Sequence, residues 1–279
     1  MRIVTLNLKH GGLTDGNGNS DNRWPAQAKL LRELDSDVIC LQEANGWLDD
    51  CRRQQATAEA DLGMRIHLTR GTTPRTATAV AHRHDVRWRL HDQGYEQCVV
   101  HGFTHIVIET VAGPVSVISG HLSPHSAALA ACEAQVLIHR VHRHGQLGIL
   151  AGDINHVPID GDGELDWSTV HPYNRSSRTI RNLDGELVGN RVVAETLARG
   201  DLTDVAVHLG RGLEPTGHGL RVDQVHVTER MLPAAVDVQV ADTEDSSDHQ
   251  AVVFDFDLAR LLHPVTDPLP QSPARSKAS

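Results

Sequence analysis

Residues 148–155, Gly-Ile-Leu-Ala-Gly-Asp-Ile-Asn, constrain the fold more than any other stretch. A short apolar run bounded by turn formers reads as a buried strand that is cut off sharply. Side chains alternate along a strand, so Asp153 and Asn155 point to one side if the extended geometry persists. A carboxylate and a carboxamide then stand together at the mouth of a buried sheet. That pair suits a hard divalent cation or a phosphoryl oxygen. A plain Gly-Asp-x-Asn turn explains the stretch equally well in isolation, so the remaining strands decide.

The same pattern recurs. Residues 2–8 read as a strand ending in Asn7, and residues 37–43 as a strand ending in Glu43. Between them, 9–22 is a Gly/Asn-rich loop and 24–34 a helix, with Pro25 in its first turn and Ala28, Leu31 and Leu34 on one face. A second helix is expected over 46–62. From 65 to 121 short strand-like runs follow one another (76–81, 86–90, 98–110, 114–119), and the short links imply antiparallel pairing. The last of these leads to His121. Residues 127–144 predict a helix from the spacing of Ala130, Ala134, Leu137 and Val141. Residues 160–190 read mostly as loop, 192–197 and 202–207 as helical turns, and 221–227, 235–240 and 250–256 as strands.

With 39% apolar residues in 279, the chain can bury a large core. A prior of about 150 residues per domain suggests two domains, but no linker-like composition divides the middle. One catalytic domain over 1–262 is expected, followed by a Pro-rich tail at 263–279 that reads as disordered. The formal charge of −10 and the scarcity of lysine (Lys9, Lys29, Lys277) argue against a general basic grip on nucleic acid. A local patch is still open at Arg175, Arg178 and Arg181, although a solvated loop fits that segment as well. The 19 histidines are mostly scattered, and those outside the strand ends (His82, His84, His139, His142, His144) read as surface residues. Cys40, Cys51, Cys98 and Cys132 have no C-x-x-C spacing. No basic-then-apolar leader is apparent and no apolar run reaches ~18 residues. The expectation is a cytoplasmic protein with reduced thiols, no membrane span and no obligate protein partner.

Five strands thus end or begin in polar residues of related kinds: Asn7, Glu43, His121, Asp153 with Asn155, and Asp248 with His249. A sixth carries Asp223. Clustered polar residues at strand ends are where α/β enzymes build their sites. Oxygen donors dominate and no Cys takes part, so the implied metal is Mg²⁺ or Mn²⁺.

In this order, Thr5-Leu-Asn7, Leu41-Gln-Glu43, Ser119-Gly-His121, Gly152-Asp153-Ile-Asn155, Arg221-Val-Asp223 and Ser247-Asp248-His249 resemble the endonuclease/exonuclease/phosphatase superfamily. The resemblance spans residues 1–257. It implies an α/β (α+β) fold, a four-layer sandwich of two packed mixed β-sheets flanked by helices, with the site at one end. It also implies roles. Asn7 and Glu43 would hold the metal, with Asp248 in support, and the metal would act as a Lewis acid. Asp153 would orient or deprotonate the attacking water, and Asn155 would donate to the phosphate. Asp223 would fix the tautomer of His249, and His121 would serve the leaving oxygen. Asp223 paired only with Arg221 is the competing local reading.

Two departures stand out. Deoxyribonuclease-like members pair this His with an upstream Glu, yet residues 71–78 contain no acid, so the partner of His121 is open. The Lys-rich loops of repair endonucleases and the extended motifs of inositol phosphatases are also missing. Three functions follow: a metal-dependent nuclease or phosphodiesterase on nucleic acid, a phosphatase or phosphodiesterase of a small or lipid-derived phosphoester, and a catalytically silent binding module. Filled acid, base and metal positions place the last of these lowest.

Overall fold

Alternation along the apolar runs decides which layer each strand face meets. In a computed structural model, which describes residues 1–73, 75–160 and 165–262, the strands are β1 (Arg2–Asn7), β2 (Val38–Gln42), β3 (Met64–Arg70), β4 (Ala77–Arg83), β5 (Trp88–His91), β6 (Phe103–Thr110) and β7 (Gly113–His121). They continue with β8 (Leu147–Asp153), β9 (Thr179–Arg181), β10 (Leu187–Gly189), β11 (Leu202–Asp204), β12 (Asp223–Thr228), β13 (Ala235–Ala241) and β14 (Ala251–Phe256). The helices are α1 (Trp24–Glu33), α2 (Arg53–Leu62), α3 (Ala127–Val141), α4 (Pro172–Arg178), α5 (Val192–Arg199) and α6 (Val205–Leu209).

Two six-stranded sheets result, ordered β13-β14-β1-β2-β4-β3 and β11-β12-β8-β7-β6-β5, with β9 and β10 forming a separate hairpin. The β1–β2 and β7–β8 pairs are parallel and the other pairs antiparallel. Ile3, Val38 and Cys40 of the first sheet meet Val115, Val117, Ile149, Ala151, Val225 and Val227 of the second in one buried cluster. The alternate residues Val4, Leu6, Ile39 and Leu41 face outward, onto Trp24, Ala28 and Leu31 of α1 and Ala58 of α2. Ile118 and Leu150 likewise face α3 and α5 through Ala130, Ala134, Leu137, Val193 and Leu197. Helix, sheet, sheet and helix are therefore stacked as the expected four-layer sandwich, each layer burying its apolar side against the next.

The same parity positions the site. Counting by twos from Ile3 gives Asn7. Counting from Val115 gives His121, from Ile149 gives Asp153, and from Val227 back gives Asp223. All four polar residues sit on the inter-sheet face, at one end of the sandwich. Register aligns three of them in one row, with His121 opposite Asp153 and Asp153 opposite Asp223. Gly120 and Gly152 are paired just beneath, and a Cβ on Gly152 would lie 2.0 Å from the Gly120 carbonyl oxygen. Only glycine lets these parallel strands approach so closely.

Several expectations are corrected. The second helix begins at Arg53 rather than 46, because Asp50, Cys51 and Arg52 all take left-handed backbone conformations. Residues 64–70 form β3, which the sequence reading did not separate from its neighbours. The span 98–110 is a strand only from Phe103. The supposed loop 160–190 contains α4 and the β9–β10 hairpin, and 202–207 divides into β11 and the start of α6. His82 is not a surface residue: it is buried, as are His67, His105, His156 and His226. His82 accounts for both ring nitrogens, bonding the Arg83 carbonyl through Nδ1 at 2.8 Å and His67 Nε2 through Nε2 at 3.2 Å. Buried imidazoles of this kind are neutral packing elements rather than solvated charges. The tail at 263–279 lies outside the described residues.

Candidate active site

Asp153 is the hub. Its Oδ2 accepts from Asn7 Nδ2 at 3.0 Å and lies 3.5 Å from His121 Nε2 and 3.8 Å from His249 Nε2. The two sheets thus meet at one buried carboxylate. Burial alone would raise its pKa, but the charges of His249 and His121 outweigh that and hold it below the usual value.

His249 follows the Ser247-Asp248 turn that leads into β14. Its Nδ1 donates to Asp223 Oδ2 at 2.8 Å. Burial disfavours the imidazolium, yet Asp223 and then Asp153 overcome it and push the pKa up to about 10. Asp223 is held in turn by the Thr216 hydroxyl, which accepts its backbone N–H at 2.9 Å. The local alternative fails, because Arg221 pairs with Asp204 at 2.7 Å and leaves Asp223 to the histidine. Ser247 Oγ donates to the Asn7 carbonyl at 2.7 Å, so the turn before β14 also pins the end of β1.

Glu43 sits immediately after β2 in a left-handed conformation (φ 52°), a strained position for a residue with a Cβ. Its Oε2 accepts the His10 N–H at 2.7 Å, whereas Oε1 has only a long 3.4 Å contact with Asn7 Nδ2. One carboxylate oxygen beside Asn7 is therefore free for a cation. Glu43 offers an oxygen donor suited to a hard divalent ion. The Asn7 amide turns its Nδ2 to Glu43 and Asp153 and its Oδ1 to the Lys9 N–H at 3.0 Å, so a half-turn of that amide would bring its oxygen to the ion. Asp248 fits less well, since it faces Lys9 Nζ at 3.3 Å. Asp153, Asp223 and His249 also bring possible ligand atoms within 4.8 Å of one another. An imidazolium has no free lone pair for a metal, so this trio is better understood as an ion triad than as a metal centre.

The three arginines separate. Arg178 is buried: Nε donates to the Asn155 carbonyl at 2.6 Å and Nη2 to Asn155 Oδ1 at 2.9 Å. It clamps Asn155, itself left-handed at φ 62° with its N–H on Asp153 Oδ1 at 2.9 Å. Asn155 also spends one amide hydrogen on the Leu122 carbonyl at 3.0 Å, leaving the other for a ligand. Arg175 is half-buried and donates to the Trp167 carbonyl, while exposed Arg181 donates to that of Gly185.

Sequence reasoning missed His101. Its Nδ1 lies 3.2 Å from His121 Nε2, in the place where an acid was sought. Burial, then the neighbouring His121, lowers the His101 pKa to about 3, so it is a neutral partner. Gly71, in the segment examined for that acid, packs against the His101 backbone. No pattern marks a lone His before a Gly; only the packing reveals it.

Comparison with known proteins agrees with this fold. No curated protein matches the chain in sequence. Among solved structures, an endonuclease/exonuclease/phosphatase family protein from Leptotrichia buccalis superposes with a TM-score of 0.65 at 17% identity, over 92% of this chain and 99% of that one. An AP endonuclease from Archaeoglobus fulgidus gives 0.61 at 16% identity over 92% and 99% of the two chains. A 3′ phosphatase from Neisseria bound to product DNA hairpin gives 0.62 at 21%, again over 92% and 99%. These likenesses establish the shared fold. The Endonuclease/Exonuclease/phosphatase family model matches residues 4–249, which takes in every strand-end residue of the site from Asn7 to His249. The chain therefore belongs to the Endonuclease/Exonuclease/phosphatase family of phosphoester hydrolases.

Proposed function

We propose that the protein is a Mg²⁺- or Mn²⁺-dependent phosphodiesterase acting on nucleic acid by attack of water on phosphorus. The observation that carries this reading is the single anionic oxygen of Asp153, ringed by Asn7, His121 and His249 within 3.8 Å. Glu43 and Asn7 would hold the metal, which when bound supplies Lewis-acid stabilisation of charge on the phosphate. Asp153 Oδ2 orients the water and takes its proton as the new P–O bond forms. The His249 imidazolium, kept charged by Asp223, faces the same space and stabilises the negative charge that gathers on the phosphoryl oxygens. His121 serves the leaving oxygen, with neutral His101 steadying its ring. The free amide hydrogen of Asn155 donates to the phosphate, and Arg178 holds that amide in place.

Nucleic acid is favoured by Arg175 and Arg181 on the arm beside the site and by the relatives: the solved neighbours include an AP endonuclease and a 3′ phosphatase bound to a DNA hairpin. One observation favours a smaller or lipid-derived phosphoester: Arg178 is spent internally on Asn155, which leaves two of the three arginines for a basic clamp. The four unpaired cysteines suit a reducing cytoplasm, and among the described residues no helix is long and apolar enough to cross a membrane. Plasmid DNA, RNA and a panel of phosphomonoesters assayed with Mg²⁺ and Mn²⁺ test the assignment. Cleavage confined to monoesters would overturn the nucleic-acid reading.

A further inference from the structure

Helix α3 buries an apolar stripe against β7 and β8 through Ala130, Ala134 and Leu137, and helical spacing puts Glu133 in the same stripe. A buried carboxylate is costly unless its oxygens are hydrogen-bonded. Arg140, further along the stripe, is balanced by Asp92. Glu133 is balanced instead by two backbone N–H groups: Oε1 accepts that of Val100 at 2.8 Å and Oε2 that of Ser123 at 2.7 Å. No step above uses it.

Those N–H groups belong to the two segments that carry the paired imidazoles. Val100 immediately precedes His101, and Ser123 follows closely on His121; His101 Nδ1 and His121 Nε2 are 3.2 Å apart. The other backbone groups of both segments are already engaged. The Val100 carbonyl accepts the N–H groups of Thr72 and Thr73 at 3.0 and 3.2 Å. Leu122 N–H donates to the Asp153 carbonyl at 3.0 Å, and the Leu122 and Ser123 carbonyls accept from Asn155 Nδ2 and His156 Nε2, both at 3.0 Å. The β6–β7 ladder ends where Phe103 pairs with Gly120. Beyond that pair, the Glu133 carboxylate is the anchor that the two segments share.

Residues 71–78 supply no acid to this histidine pair, and Glu133 reaches it from the other side. Burial raises the Glu133 pKa, opposed by the Val100 and Ser123 N–H groups and by His121, so its charge lies within electrostatic reach of the ring whose backbone it holds. We propose that Glu133 is a positioning residue for departure of the leaving group: it holds the His101 and His121 segments at one separation and so fixes the direction of His121 Nε2. The inference rests on His121 serving the leaving oxygen, as proposed above.

Two thymidine esters differ in what leaves. Thymidylyl-thymidine expels a sugar alkoxide, which must take a proton as its P–O bond breaks; thymidine 5′-(p-nitrophenyl phosphate) expels p-nitrophenolate, which is stable without one. In Glu133→Gln the carboxamide turns its NH₂ group to one of the two backbone N–H groups, and the anchor is lost on that side. The ratio of kcat on the dinucleotide to kcat on the aryl ester should fall by about 10- to 100-fold, the cost of a misdirected catalytic group, with KM near its wild-type value. In a His121→Ala background the same change should leave the ratio where His121→Ala put it, because the two residues act as one unit. Glu133→Asp keeps the charge but is one methylene too short to span both N–H groups, and should act alike if the glutamine variant folds poorly. An unchanged ratio, a loss shared equally by both esters, a further fall in the His121→Ala background, or failure of both variants to fold makes Glu133 a residue of the core and overturns the proposal. If the wild type leaves the dinucleotide intact, the phosphodiesterase reading fails and long-range ¹H–¹⁵N spectra of histidine-labelled protein decide. The ring signals of His101 and His121 should then move in Glu133→Gln while those of His249 stay, and unmoved signals refute the inference.

Discussion

Replacing Asp223 by Asn keeps the shape of the His249 partner and removes its charge. The pKa of about 10, against an ordinary 6.5, corresponds to a net preference for the imidazolium of about 5 kcal/mol. At an effective dielectric of ~20, a unit charge at 2.8 Å contributes about 6 kcal/mol and one at 3.8 Å about 4. Burial therefore opposes ionisation by roughly 5 kcal/mol, and without Asp223 the remaining Asp153 no longer overcomes it. The variant's His249 should titrate near pH ~6. Long-range ¹H–¹⁵N spectra of histidine-labelled protein read this directly. Turnover at pH 7.5 should fall by about 10²–10⁴, with partial recovery towards pH 6 as the ring regains its proton. His249→Ala should cost a similar factor, and the double variant little more, because the pair acts as one unit. An imidazole that stays protonated to pH 9 in the Asn variant, or losses that multiply, would refute the dyad.

Other outcomes follow from the same geometry. Gly152→Ala should force β7 and β8 apart, costing about 1–3 kcal/mol of stability by overpacking and lowering turnover, since His121 and Asp153 are the next registered pair; an unchanged melting temperature contradicts this. His67, His105 and His156 have pKa values lowered to about 4, 3 and 4, first by burial. Their unfolded forms bind protons first, so stability is intact above pH 6.5 and is lost as pH falls below it, by about 2 kcal/mol per residue at pH 5. Urea melts across pH 7 to 5 should show that loss, and a flat profile speaks against neutral buried imidazoles. If nucleic acid crosses the α4–β9 arm, Arg175→Ala with Arg181→Ala should flatten the salt dependence of binding by about one slope unit per lost phosphate contact. No change in slope returns the arm to a solvated role and favours the small substrate.

Much of the site was legible because period-two alternation works where one strand face is buried. Asn7, His121, Asp153 and Asp223 each continue the inward parity of an apolar residue, and the order of motifs supplied the rest. What the sequence hid depends on long-range packing. Arg178 looked like one of three surface arginines until the fold brought it under Asn155, 23 residues away. His101 has no neighbour that marks it, and its role exists only because the approach to β6 passes beside the end of β7. The late start of α2 reflects three consecutive left-handed residues, among them Cys51 and Arg52, which no composition rule anticipates. Buried histidines were misplaced for a related reason: a neutral imidazole packs like an aromatic ring, which a count of polar residues cannot reveal.

In the proposed reaction Asp153 activates water against a phosphodiester while Glu43 holds a divalent cation. Hydrolysis of a short DNA or RNA strand in H₂¹⁸O, with products weighed by mass spectrometry, tests it most directly. One ¹⁸O is expected in the released phosphate terminus, with turnover abolished by EDTA and restored by Mg²⁺ or Mn²⁺, and the label-bearing product lost in Asp153→Asn and Glu43→Ala. Full turnover in chelator, or a labelled product from either variant at the wild-type rate, would contradict it.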